Sequence, residues 1–485
     1  MIFGKIFELF TTVELGNTNI LHTIMRQKRN YFFIILAFIS IISCKPGDEI
    51  DPLEENETQE GNLSFGKSKS VSTYAGTIVS DWNSLQIKLI QATPGYSAPV
   101  AARTIAYVNL ALYESTVYGL VGYKSLEGQI QGLEKLPKPE NGKDYNWALS
   151  ANAAQYTLLR EIYGTTSDVM KSRIDTLRRQ TEVKLKAGVD EDEIERSIRF
   201  GAAIANSIWE FSKKDGGHEA YNNNFPNEYT RNGGAASWMP TSTQTKPILP
   251  KWGSLRAFIK SNIESMPSVK VPFSFEQSSA YFKGAQEVYG LVKTLNGEQK
   301  DIMNFWKDGE MSFTSAGHNL AVLNNIARKE GLKMDDMVIL NLQMGIALHD
   351  ATIACMKSKY DTDFMRPVTY IRQTIDPRWT NIEKDDSSPE YTSLPATMAG
   401  VTAEILANRF GEEYTFEDET YAQALGKRPY KNFTSYAKEA SLAQLYAGNH
   451  MRTSIENGVE SGRLIAKNVL QLKLKLSSDS TVVNM

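Results

Sequence analysis

Two cysteines in 485 residues, Cys44 and Cys355, are too few for a disulfide-stapled scaffold. Excess charge of one sign is lacking too: 53 Lys and Arg stand against 56 Asp and Glu, for a net charge of -3. With both signs interspersed, the chain has no broad basic field for nucleic acid and no polybasic face for anionic lipid, so any anion site must be local. No stretch sustains the apolar/polar alternation that a half-buried strand needs, which excludes an extensive sheet. What remains is ordinary globular composition, 41% hydrophobic, 10% aromatic and 22% charged, with length for a large buried core in one domain or two.

The N-terminal region has a clear order. MRQKRN, from Met25 to Asn30, is basic; YFFIILAFISIIS, from Tyr31 to Ser43, is mostly apolar; Cys44 follows. The apolar run is too short to span a bilayer comfortably and has the layout of a signal peptide, 25–44. Its Ile41-Ile42-Ser43-Cys44 ending resembles a bacterial lipobox, which implies cleavage, lipid attachment at Cys44, export, and a membrane contact made only through that anchor. Residues 1–24 read as a dispensable extension, with Met25 as the true start. Residues 45–75 are acidic and poor in large apolar side chains, so they cannot bury enough surface to offset their ordering entropy and read as a tether. With Cys44 lipidated, Cys355 has no partner and reads as a small core residue.

Beyond the tether the chain reads as all-α. Apolar residues recur at spacings of three and four in VSDWNSLQIKLIQAT, in APVAARTIAYVNLALYESTVYGL, through MDDMVILNLQMGIALHDATIACMKSKY, and in ATMAGVTAEILANRFG and TSIENGVESGRLIAKNVLQ. Pro99 stands at an expected first helical turn, and Thr453 with Glu456 has the spacing of a capping box for the last helix. From Asp215 to Lys251 the chain is dense in Gly, Asn, Pro and aromatics without periodicity. That divides a helical domain, 76–475, into a front half, 76–214, a connecting loop, 215–251, and a rear half, 252–472.

The rear half contains KSKYDTDFMRP, residues 357–367. Pro367 biases Met365 and Arg366 away from helix, so Arg366 leaves the helix end in a fixed direction while Lys359 stays at that end. A fixed guanidinium fork and a mobile ammonium suit a tetrahedral oxyanion, each contributing about 4 kcal/mol at about 4 Å and an effective dielectric near 20, before desolvation. Taken alone, such a pair is more often a solvated helix end. His349-Asp350 has the form of a metal-binding His-Asp pair, but the further histidines such a site needs are absent, and Asp361 with Asp363 lacks the rest of a calcium loop, so no divalent metal is assigned.

Lys-x6-Arg-Pro resembles the first signature of the vanadium-dependent haloperoxidase and type-2 phosphatidic acid phosphatase superfamily. IALHDATIACMKSKYDTDFMRPVTYIR, FWKDGEMSFTSAGHN, APVAARTIAYVNLALYES and SWMPTSTQTKPILPKWG are all similar to its bacterial haloperoxidase branch, so the resemblance spans roughly 78–470. It implies two helical bundles with one anion pocket in the rear half, vanadate as the cofactor, peroxide and halide as haloperoxidase substrates, or a phosphomonoester in the phosphatases. In that family a histidine nitrogen is the axial ligand of vanadate or the nucleophile on phosphorus.

Position by position, the match is incomplete. Lys359 and Arg366 match the first signature and Ser393 the serine of the second, but Thr392 replaces its proline, Leu394 its glycine and Pro395 its histidine. In the third, His450 is kept as the pocket histidine and Gln444 stands for an arginine. Proline cannot act as a general acid or base, a role typically worth 10²- to 10⁴-fold, and a glutamine donates neutral bonds about half as strong as an arginine's. The resemblance thus implies reduced or altered haloperoxidase activity, with a phosphomonoesterase or a non-catalytic anion-binding scaffold as alternatives. His318, His349 and Arg452 are the groups that could compensate if the fold brought them close.

Overall fold

In the computed structural model the described residues are 65–476, apart from 231, 265, 268 and 270. The signal-peptide and Cys44 readings, with nearly all of the tether, lie outside them. The described residues belong to one compact unit.

The front half carries α1 (Thr77–Ala92), α2 (Ala98–Glu114), α3 (Trp147–Ile162), α4 (Asp168–Leu185) and α5 (Glu191–Ser212). α2 begins with Pro99 in its first turn, as its missing N–H allows. An irregular path with only short 3-10 turns then runs to Ser279, well past the end expected at Lys251. The rear half holds α6 (Ala280–Thr294), α7 (Gly297–Phe305), α8 (Thr314–Lys329), α9 (Met334–Thr362), α10 (Pro367–Thr374), α11 (Leu394–Phe410), α12 (Phe433–Tyr446) and α13 (Arg452–Leu470). Between α11 and α12 lies a ribbon of β1 (Phe416–Asp418) and β2 (Arg428–Tyr430), antiparallel, with Glu417 opposite Pro429.

The two halves share one core. α9, 29 residues long, packs on α2 from the front half and on α11 and α13 from the rear. It is the only described helix long and apolar enough to cross a membrane, yet it is buried along nearly its whole length as the centre of the fold. Cys355, on this helix, is fully buried.

α11 and α13 approach to backbone contact. A Cβ on Gly462 would sit 2.0 Å from the Thr397 carbonyl, and one on Gly400 would sit 2.3 Å from that of Val459. Only glycine permits this spacing, and it places the start of α11 beside the start of α13.

The capping box expected from Thr453 and Glu456 does not form: α13 starts at Arg452 with Met451 as N-cap and no side-chain cap. A carboxylate from another segment, Glu390, occupies that end instead, accepting from the Met451 N–H at 2.8 Å and the Ser454 hydroxyl at 2.6 Å. α4 lacks a strong apolar pattern because it buries little beyond Met170 and Ile174; Ser167 caps it.

Candidate functional site

α9 ends in a left-handed residue, Asp363, at φ 50°, and Arg366 follows in extended conformation before Pro367 opens α10. The connecting path holds this corner from one side, with Trp238 N–H on the Asp363 carbonyl and Met365 N–H on the Ala236 carbonyl, both 2.8 Å. From the other side the Glu390 N–H donates to the Phe364 carbonyl at 2.8 Å. Arg366 therefore has its expected fixed direction, and it is buried rather than solvated.

All five N–H groups of Arg366 meet protein acceptors. Nε donates to the Ser388 carbonyl at 2.8 Å, one terminal nitrogen to the Asp386 carbonyl at 3.3 Å and Ser388 Oγ at 2.9 Å, and the other to the Asn449 carbonyl at 3.2 Å and His450 Nε2 at 3.0 Å. Lys359, also buried, donates to the carbonyls of Pro389 at 2.8 Å and Glu390 at 3.3 Å. Burial and then the neighbouring Arg366 lower its ammonium to about 8.

His450 is buried just before α13, with Nδ1 3.2 Å from Glu390 Oε1. Burial, reinforced by Arg366 and Lys359, lowers the imidazole to about 3, so it is neutral at ordinary pH. Burial would raise the Glu390 carboxyl, but bonds from His450, Ser454 and Met451 bring it below the usual range. Ser393 caps the start of α11; its Oγ is buried without a hydrogen-bond partner.

Two adjoining clefts open here. The larger, about 360 Å³, is lined by Lys359, Met356, Leu394 and the start of α2. The smaller, about 200 Å³, is lined by Arg366, His450, Gln444, Asn449 and Trp306. Pro395, Lys384, Asp386 and Asp308 border both. Lys359, Arg366, Gln444 and His450 thus line this pair of clefts and Ser393 lines neither, while Leu394 and Pro395 stand where Lys359 faces one cleft and His450 the other. Carboxylates at the shared rim oppose a second negative charge.

The residues considered as compensators lie outside the lining of the two clefts. His318 lies behind the rim, Nδ1 2.8 Å from Asp308 Oδ2 and Nε2 2.8 Å from Asp418 Oδ2, with Trp306 stacked at 4.4 Å. Burial would lower this ring, but the two carboxylates carry it up to about 10. His349 is buried on α9 beside Tyr107 and Phe258, and burial lowers it to about 4. Asp350 accepts from the N–H groups of Phe258 and Ile259 and from the Asn262 amide, fixing a loop. Arg452 turns outward to Glu287 at 2.6 Å. Asp361 pairs with Lys357, and Asp363 accepts from the Ser237 hydroxyl.

Sequence reasoning missed Glu390, Ser388, Asn449 and Asp308. Glu390 falls inside PEYTSLPATMAG, yet nothing in its spacing tells that its carboxylate reaches a helix start some sixty residues on.

Comparison with known proteins bears on the fold. Residues 339–478 match the family model described as the VCPO second helical-bundle domain. A solved structure described as the first bacterial vanadium-dependent iodoperoxidase is 27% identical, with TM-score 0.74, over 82% of this chain and 96% of that one. Two bacterial vanadium-dependent chloroperoxidase structures share the fold. The apo form has TM-score 0.59 and 15% identity over 78% of this chain and 93% of its own; the holo form has 0.58 and 14% over 84% and 98%. No curated protein sequence matches.

Proposed function

Since the chain belongs to the vanadium haloperoxidase superfamily, we propose that it is a haloperoxidase-like lipoprotein whose pocket takes a tetrahedral oxyanion, vanadate or phosphate, beside His450, with reduced or altered turnover. The observation that carries this reading is the buried Arg366 guanidinium 3.0 Å from Nε2 of a neutral imidazole, His450, at a cleft that Gln444 also lines. With His450 neutral, the buried Lys359 and Arg366 against the buried Glu390 leave one net positive charge beside the clefts, while the rim carboxylates Asp308 and Asp386 disfavour a highly charged oxyanion.

Vanadate, when bound, supplies a Lewis-acid centre at which peroxide is activated toward halide. Gln444 would offer the group a neutral amide donor in the smaller cleft, and Lys359 would offer its remaining N–H from the adjoining one. Arg366 must release His450 Nε2 before its fork serves the anion. Pro395 moves no proton, so whatever is bound lacks an adjacent general acid there. This weighs against a conventional phosphatase, which must protonate its leaving group. A non-catalytic anion-binding or scaffold lipoprotein remains the second reading, and the saturated donors of Arg366 favour its scaffold form.

Equilibrium dialysis with orthovanadate is expected to detect binding that His450→Ala abolishes; equal affinity in the variant removes His450 from the pocket. Halide oxidation and phosphomonoester hydrolysis, each with and without vanadate, are expected to rise at least tenfold in a Pro395→His, Gln444→Arg double variant. An unchanged rate contradicts the assigned losses. Lipid attachment belongs to the same proposal: labelled palmitate is expected on the wild-type chain and not on Cys44→Ser.

A further inference from the structure

We propose that Glu390 is the positioning residue that fixes His450 as the Nδ1–H tautomer and turns its Nε2 lone pair toward Arg366 at the edge of the smaller cleft. The inference rests on the reading of His450 as the pocket nitrogen, and its own support is geometric. Arg366 has only N–H groups to offer and does not deprotonate in proteins, so at 3.0 Å from Nε2 it must be the donor and Nε2 the acceptor. A neutral imidazole with a lone pair on Nε2 carries its hydrogen on Nδ1, and the atom facing Nδ1 is Glu390 Oε1 at 3.2 Å.

The carboxylate is itself held from several sides. Oε1 also accepts from the Met451 N–H at 2.8 Å, and Oε2 from the Ser454 hydroxyl at 2.6 Å. Its backbone adds two links, N–H to the Phe364 carbonyl at 2.8 Å and carbonyl to Lys359 Nζ at 3.3 Å. One buried residue thus ties together the corner carrying Arg366, the ammonium of Lys359, the ring of His450 and the first turn of α13. A negative charge at that helix start is favoured by the unpaired N–H groups there. A carboxylate that orients an imidazole acts on whatever the other nitrogen meets, and removal of such a partner typically weakens ligand affinity 10- to 100-fold.

The test uses the full chain with ring-¹⁵N histidine, its His450 signals assigned by their loss in His450→Gln. Long-range ¹H–¹⁵N correlation of the ligand-free protein is expected to show one neutral tautomer at His450, protonated on Nδ1. An Nε2–H ring, or an imidazolium at neutral pH, overturns the proposal. Glu390→Gln keeps the side-chain shape, and Ser454→Ala removes only the brace on Oε2. Both are expected to move the Nδ1 shift, the first more, and Glu390→Gln to weaken orthovanadate binding at least tenfold. Ring shifts unmoved in Glu390→Gln overturn the assignment. Because the tautomer is read without any ligand, a failure of vanadate to bind the wild-type protein would count against the proposed function alone.

Discussion

Two buried histidines, His450 and His318, each lie against a carboxylate, yet they are held in opposite states of charge. His318 has carboxylates on both ring nitrogens and is an imidazolium, backed by the face of Trp306. His450 has one carboxylate and, on its other nitrogen, a guanidinium, with Lys359 nearby; it stays neutral. Burial is nearly equal in the two places. The sign of the second neighbour decides, and with it whether the ring is a cation between carboxylates or keeps a lone pair that accepts from a guanidinium.

The largest effect expected from breaking this contrast is on stability. His318→Leu leaves Asp308 and Asp418 buried and facing each other without their cation, which should cost about 3–5 kcal/mol in urea unfolding. His450→Leu removes no charge, and Arg366 and Glu390 keep their other partners, so it should cost about 1–3 kcal/mol. A reversed order would mean that the charge assignments are exchanged.

A finer test is the pH dependence of the same unfolding. His318 has a folded pKa raised above the ordinary value of about 6.5. Its contribution, taken as wild type minus His318→Gln, should be full below that pH and be lost as pH rises through about 10. His450 is depressed, so its contribution against His450→Gln should be present above about 6.5 and be lost as pH falls through about 3. The carboxyls of Glu390 and Asp418, both held below their usual range, add to the acid limb, which is why the differences rather than the raw curves are compared. The smallest effect should come from Arg452→Ala. Its ion pair with Glu287 is partly exposed and screened, so the change should stay within about 1 kcal/mol with no change in vanadate affinity.

Much of the fold was legible in the sequence because its long helices bury wide apolar faces. α9 and α11 follow their apolar spacing to within two residues of the expected ends, and Pro367 correctly sets Arg366 in extended backbone. α4, α6 and α12 were not marked, since short or small buried faces leave a weak pattern. The false capping box at Thr453 and Glu456 has a physical reason: local spacing cannot reveal a competitor from a distant segment, and Glu390 already holds that helix start. Lys359, Arg366, Ser393, Gln444 and His450 were nameable from motif positions. The partition by Leu394 and Pro395, the saturation of Arg366 and the carboxylate rim are facts of three-dimensional arrangement that spacing does not carry.

The connecting path between the halves is the least regular part of the domain, and composition suggests that it should tolerate change. Its bonds argue otherwise. Ala236 and Trp238 pair with the corner before Arg366, Thr241 Oγ1 donates to Asp385 at 2.6 Å, and Ile248 N–H reaches the Ser387 carbonyl at 2.7 Å. Inserting one residue among these anchors would put every later partner out of step and swing the guanidinium aside, so the segment with the loosest texture has the least freedom to lengthen.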